Sequence, residues 1–167
     1  MSEPGDTKPD AMGDILRRAR AADLSDLMAI WRARVLEDWA CSPEAYRAVS
    51  QAILGHGEPL LAFDVISEGL SVFPGDTRLR QLQGLSLARS GATERANAVL
   101  EKLRSDGQTD EETLGMLGRT YKDLAMHSES SKDREQFLRR AAEIYSQGYS
   151  GTSGYWSGIN AATLPHV

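Results

Sequence analysis

The 167-residue sequence holds a single cysteine, Cys41. No internal disulfide can form, which points to a reducing, cytoplasmic compartment. Aromatic residues are sparse at 7%, and no apolar run approaches the ~18 residues that a membrane-spanning helix needs. A secretory leader is missing as well: Met1 to Asp10 carries Pro4, Pro9, Gly5 and mixed charge but no apolar core, and reads as a flexible tail. Basic excess is also lacking. With 19 Lys+Arg against 24 Asp+Glu, a net charge of -5 and no Lys/Arg run, the chain is unsuited to wrapping duplex nucleic acid. Hydrophobic residues at 41% and charged residues at 26% fit one soluble globular domain, burying roughly 70% of its unfolded surface.

Catalytic signatures are absent too. The sequence has no GxGxxG, P-loop, GxSxG or HExxH. His56, His127 and His166 are too scattered to suggest a metal site, and Cys41 reads as a small hydrophobe or plain surface thiol. No carboxylate pair stands out as acid and base. The expectation is a protein that is not an enzyme and uses no cofactor or metal.

What is present is helical spacing almost from end to end. Met12, Ile15, Leu16 and Ala19 follow the i, i+3, i+4, i+7 rule, and Leu24, Leu27, Met28, Trp31, Val35 and Trp39 continue it. Asp23 or Ser25 can cap a second helix, so one bent helix or two short ones fit equally. Ser42-Pro43-Glu44 is a sharper start, with Ser as N-cap and Pro in the first turn. The helix it opens stops at Gly55-His56-Gly57. Its partner runs through Leu60, Val65, Ile66 and Leu70 to Pro74-Gly75-Asp76, and a second pair turns at Ser90-Gly91-Ala92.

These hairpins repeat. A shift of 34 residues carries Ile53 onto Leu87, Gly57 onto Gly91, Ala62 onto Ala96 and Ile66 onto Leu100; a further one carries Gly84 onto Gly118 and Leu87 onto Tyr121. A helix–turn–helix period of 34 is the tetratricopeptide (TPR) signature. Gly84 and Gly118, facing Ala96 and Ala141, let helix A approach helix B; Ser50 replaces the first of these glycines. The expected fold is all-α, a TPR-like helical-hairpin solenoid with a right-handed superhelix. Residues 11–41 form an N-terminal helical element, followed by repeats at 42–75, 76–109 and 110–150 and the start of a further one at 151–167. Between Tyr121 and Ala141 the third repeat is eleven residues too long. The polar run around 127–135 reads there as a long inter-helix loop with one or two extra helical turns.

Two stretches carry interaction chemistry. Gly118-Arg119-Thr120-Tyr121-Lys122-Asp123 sets Arg, Lys and Asp around a packing glycine, with an Arg119–Asp123 pair at i, i+4 as the plain structural use. Gly148 to Ala162 is glycine-rich and reads as a connection into the A helix of a fourth hairpin, with Tyr155 and Trp156 offering stacking surface and Asn160 a bidentate amide. In order, GRTYKD, a polar insertion, AAEIYSQGY and GYWSGINAATL resemble the TPR-containing TRAF-binding domain of the apoptosis-signal-regulating MAP kinase kinase kinases. They equally resemble its bacterial TPR-S relatives. The likeness is sharpest over Leu114 to Leu164. It implies a helical regulatory platform that scaffolds partners, or, in bacterial signalling and conflict systems, a sensor of a nucleotide-derived ligand. The matching ligand positions are Arg119, Lys122, Tyr155, Trp156 and Asn160. The kinase catalytic domain has no counterpart here.

In that family the GIN segment opens a helix followed by more hairpins, whereas this sequence stops at Leu164-Pro165-His166-Val167. The expectation is an uncapped apolar face, covered by further chain in a longer protein or by self-association into a homo-oligomer. The leading functional expectation is a non-enzymatic module that binds a protein partner or an attached effector domain. Its groove, lined by A helices, takes Tyr46, Arg80, Gln83 and Leu114. The second expectation is a small-molecule sensor.

Overall fold

The computed structural model describes the backbone of residues 11–152 and the side chains of residues 12–148. The expected tail at 1–10, and Tyr155, Trp156 and Asn160, lie outside the described residues. Within them every regular element is a helix: α1 (Ala11–Ala21), α2 (Leu24–Arg32), α3 (Leu36–Trp39), α4 (Glu44–Gly55), α5 (Pro59–Val72), α6 (Thr77–Arg89), α7 (Thr93–Ser105), α8 (Glu111–His127) and α9 (Ser131–Thr152). They fall into two compact units, Met1–Pro74 and Gly75–Val167.

In the first unit α4 and α5 form a hairpin. The N-terminal residues resolve into separate short helices, because Asp23 caps α2 by accepting a hydrogen bond from Asp26 N at 2.9 Å. α1 packs chiefly on α4 and only lightly on α2, so α1–α3 cover α4 rather than forming a further hairpin of their own. Leu27, Ile30 and Trp39 are buried, and Trp39 meets Tyr46 edge-on with centroids 4.8 Å apart. Polar contacts tie this cover to α5. Arg34 Nε donates to Glu68 Oε1 at 2.6 Å and Nη2 to Oε2 at 2.5 Å, while the Tyr46 hydroxyl donates to Glu68 at 3.1 Å. α4 begins one residue later than expected: Pro43 is the N-cap, and the Ser42 hydroxyl accepts from Glu44 N at 3.3 Å.

The second unit stacks α6–α7 and α8–α9. Gly57 and Gly91, 34 residues apart, both take positive φ, at 81° and 86°. Each lies beyond a helix end where the following residue donates back across the last turn, Glu58 N to Ile53 O and Ala92 N to Leu87 O. This left-handed closure is what the glycine is for. The third hairpin departs from it, and the expected long loop is not there. α8 runs four residues past the position that matches the end of α6, and α9 starts seven before the match to the start of α7. The connector, 128–130, is three residues long like 56–58 and 90–92. All eleven extra residues are helical. The expected glycine-rich connection is also corrected at its start, since α9 continues as helix through Gly148 to Thr152.

Candidate functional site

α8 begins on Asp110, whose carboxylate accepts from Thr113 N at 3.0 Å and from the Thr113 hydroxyl at 2.7 Å. Its inward face needs a glycine: a Cβ on Gly118 would lie 2.8 Å from the Tyr145 ring. Leu114 and Leu117 pack with Leu100, Leu103 and Ile144, while Tyr145 packs with Ala141. Burial pushes the Tyr145 phenol up to about 12.

The outward face carries a stripe. Arg119 and Lys122 stand roughly 60° apart around the helix, with Met126 between them in angle and a turn further on. Arg119 Nε donates to both carboxylate oxygens of Asp123, at 2.9 and 3.2 Å, and its side chain is 69% exposed. Lys122 is half-buried and Met126 is 77% exposed. His127 Nδ1 donates to the Asp123 carbonyl at 2.6 Å, closing the helix end.

Tyr121 lies roughly 160° around from Arg119, on the side that meets α7 and α9. There a hollow of ≈ 390 Å³ is lined by Tyr121, Gln136, Phe137, Arg139, Arg140 and Glu143. The Tyr121 and Phe137 rings are 6.3 Å apart and tilted by 35°. The Tyr121 hydroxyl donates to Glu101 at 2.7 Å, and burial followed by that carboxylate raises its pKa. Arg140 donates to Glu143 at 3.0 Å and to Glu101 at 3.5 Å, and Arg139 pairs with Glu135. Gln136 and Phe137 belong to the added turns of α9, so the departure from the repeat builds one wall of the hollow.

The expected groove residues fare unevenly. Tyr46 and Leu114 are each 1% exposed and belong to the core, which corrects their reading as groove surface. Each lies on its helix's apolar stripe, Tyr46 with Val49 and Ile53, Leu114 with Leu117 and Tyr121, and packing claims it. Arg80 is largely enclosed and donates to Asp106 at 2.9 Å; Lys102 first, and then Arg80, hold the Asp106 carboxyl below its ordinary range. Gln83 is half-buried. Arg119 and Lys122 are brought together on one face.

Sequence reasoning missed a buried polar cluster next to Arg80. The Gln81 amide donates to Thr113 Oγ1 at 2.8 Å and accepts from Arg78 at 3.2 Å, and Arg78 also pairs with Glu112. One signal was available: Arg78–Glu112 and Arg34–Glu68 are both separated by 34 residues, the repeat period. Among the described residues no cluster of His, Cys, Asp and Glu suits a metal ion, and no helix is long and apolar enough to cross a membrane.

No curated protein matches the sequence. The fold resembles the crystal structure of a thermophilic TPR protein of Thermus thermophilus, with a TM-score of 0.69 and 12% identity. That similarity covers 74% of this chain and 64% of the other, so this chain spans less than two thirds of its neighbour. Residues 58–165, from the residue before α5 onward, match the family described as Tetratricopeptide Repeats-Sensor. The hairpins, their 34-residue period and this match together make the chain a member of the TPR-S family.

Proposed function

We propose that this chain is a non-enzymatic, cytoplasmic regulatory module that docks a protein partner or an attached effector domain in a signalling or bacterial conflict system. The observation that carries the reading is the outward stripe of α8, where exposed Arg119 and Met126 flank Lys122. Arg and Met are enriched where proteins meet, and an exposed methionine amid charge offers an apolar anchor. The likeness of GRTYKD and GYWSGINAATL to the kinase domain supports the signalling context. Co-purification of the tagged chain from its own host is the test. A partner retained by the wild type is expected to be lost from Arg119→Glu and Met126→Asp, both of which alter exposed side chains. Unchanged recovery from both variants removes this stripe from the reading.

A second reading, a sensor of a nucleotide-derived small molecule, is favoured by the shared face of Arg119 and Lys122 and by the family's description as a sensor. In it the two cations meet phosphates, Tyr155 or Trp156 stacks on a base, and Asn160 reads the base edge. A ligand that binds only the folded state raises the melting midpoint. Adenine nucleotides, NAD, ADP-ribose and cyclic dinucleotides form the panel. A rise with one of them, abolished by Lys122→Ala, is the expected signature; a flat panel counts against this reading.

A further inference from the structure

Tyr46 and Tyr121 donate their hydroxyls to Glu68 and Glu101. Tyr145 differs. It is only 4% exposed, yet its hydroxyl has no hydrogen-bond partner among the described residues. Nor is that hydroxyl sealed in. Among the described residues the Trp31 indole N–H alone is both fully enclosed and unpartnered, so the small exposed part of Tyr145 includes its oxygen.

The direction in which it points follows from its neighbours. The ring crosses α8 at Gly118, where a Cβ would stand 2.8 Å from Cε1 and Cζ. After burial, the charges that act on the phenol are those of Arg119, which lowers its pKa, and Asp123, which raises it. The hydroxyl therefore lies toward the Arg119–Asp123 pair. The second hairpin supplies an internal comparison, since Gly84 meets Leu100 just as closely, at 2.8 Å. With the eleven extra residues counted, Leu100 is the counterpart of Tyr145, and Leu85, 34 residues earlier, is that of Arg119. The third hairpin thus keeps the close packing of the second and adds a phenol hydroxyl and a guanidinium where the second has two leucines. Packing accounts for the ring but not for its hydroxyl.

The open hydrogen-bonding groups at this spot are donors. Arg119 gives Asp123 only its Nε, at 2.9 and 3.2 Å, and its side chain is 69% exposed. The N–H groups on its two terminal nitrogens have no partner among the described residues. Asp123 therefore orients the guanidinium without using up its fork. Both Asp123 oxygens already accept a hydrogen bond. Burial pushes the Tyr145 phenol up to about 12, so at neutral pH it keeps its proton and donates. Free donors on a cation and a protonated phenol suit an oxyanion.

We propose that Tyr145 is a ligand-binding residue, its hydroxyl and the terminal nitrogens of Arg119 together holding one phosphoryl group of a small ligand. This deepens the sensor reading and rests on it. Because α8 carries Arg119 and α9 carries Tyr145, the bound group bridges the two helices and is felt where the ring lies on Gly118.

Calorimetric titration of the full chain with inorganic pyrophosphate at low ionic strength tests this. Tyr145→Phe keeps the ring on Gly118 and removes only the hydroxyl, and should weaken binding at least about tenfold. Tyr46→Phe, which removes a hydroxyl already engaged in the other unit, should leave it unchanged. Acetate should bind the wild type at least about tenfold more weakly than pyrophosphate. Should Tyr145→Phe fail to fold, Tyr145→Leu restores the side chain of the second hairpin and supplies the same loss. No binding of pyrophosphate at millimolar concentration, equal affinity in wild type and variant, or acetate bound as tightly overturns the proposal. The nucleotide panel decides the sensor reading separately: a midpoint raised equally in wild type and Tyr145→Phe keeps that reading and removes Tyr145 from it.

Discussion

One methyl group at residue 118 has a defined destination, the face of a buried tyrosine. A Cβ there would stand 2.8 Å from Tyr145 Cε1 and Cζ, and that ring is only 4% exposed. Overpacking of this kind costs about 1–3 kcal/mol, so Gly118→Ala should lower the denaturant midpoint accordingly. An unchanged midpoint would show that α8 and α9 can part freely. The same ring gives a pH signature. Folding raises the Tyr145 phenol from 10.0 to about 12, so the folded chain holds that proton more tightly than the unfolded one. Its contribution is complete below the unfolded value and is lost as pH climbs through the folded one. Tyr46 behaves alike, raised to about 12 by burial and then by Glu68. Stability should therefore fall between about pH 10 and 12, and Tyr145→Phe should flatten its share; a level alkaline profile in the wild type contradicts this. The glycine was legible because a repeat exposes its small positions by recurrence. The burial of Tyr46 and Leu114 is legible too, in their own i, i+3, i+7 stripes, and membership of an A helix does not by itself make a residue groove surface.

At the level of elements, the informative departure is the third hairpin. Its excess of eleven residues was visible in the spacing, but whether they form loop or helix was not. Polar composition suggested a loop, yet the run from Ser131 is rich in good helix formers. Glu135 stands four residues before Arg139, the favourable order for an ion pair on a helix. Ser130 starts that helix by accepting from Asp133 N at 3.3 Å, and Arg134 donates to the Ser128 carbonyl at 2.9 Å. Removing 124–127 and 131–137 should restore a hairpin of ordinary length. Tyr145 remains to pack on Gly118, so the shortened chain should keep cooperative melting while losing the hollow. Failure to fold would make the extension structural. The Arg34–Glu68 pair is another link between elements, with side chains 22% and 24% exposed. Glu68→Ala leaves a largely enclosed guanidinium and the Tyr46 hydroxyl without their carboxylate, and should cost about 1–3 kcal/mol.

For the molecule as a whole, an array of hairpins must be finished at its ends, since each hairpin buries one face only against a neighbour. At the N-terminal end α1–α3 meet that need within their own unit. α1 and α2 lie on α4, Trp39 closes over Tyr46, and Arg34 reaches Glu68. The family match starts at residue 58, so this cover lies outside the matched region, and packing geometry alone assigns it a role. Apolar spacing alone did not separate a first hairpin from a cap, because Leu27, Ile30 and Trp39 would be buried in either. The distinction lies in which helix α1 touches. A chain lacking residues 1–41 should therefore lose more than helix content. Truncating a buried aromatic alone costs roughly 3–5 kcal/mol, and Tyr46 would face solvent on its exposed side. The truncated chain should melt well below the full chain and self-associate as its concentration rises, in sedimentation or light scattering. If it instead stays monomeric with an unchanged midpoint, α4 does not depend on its cover, and α1–α3 must be assigned another use.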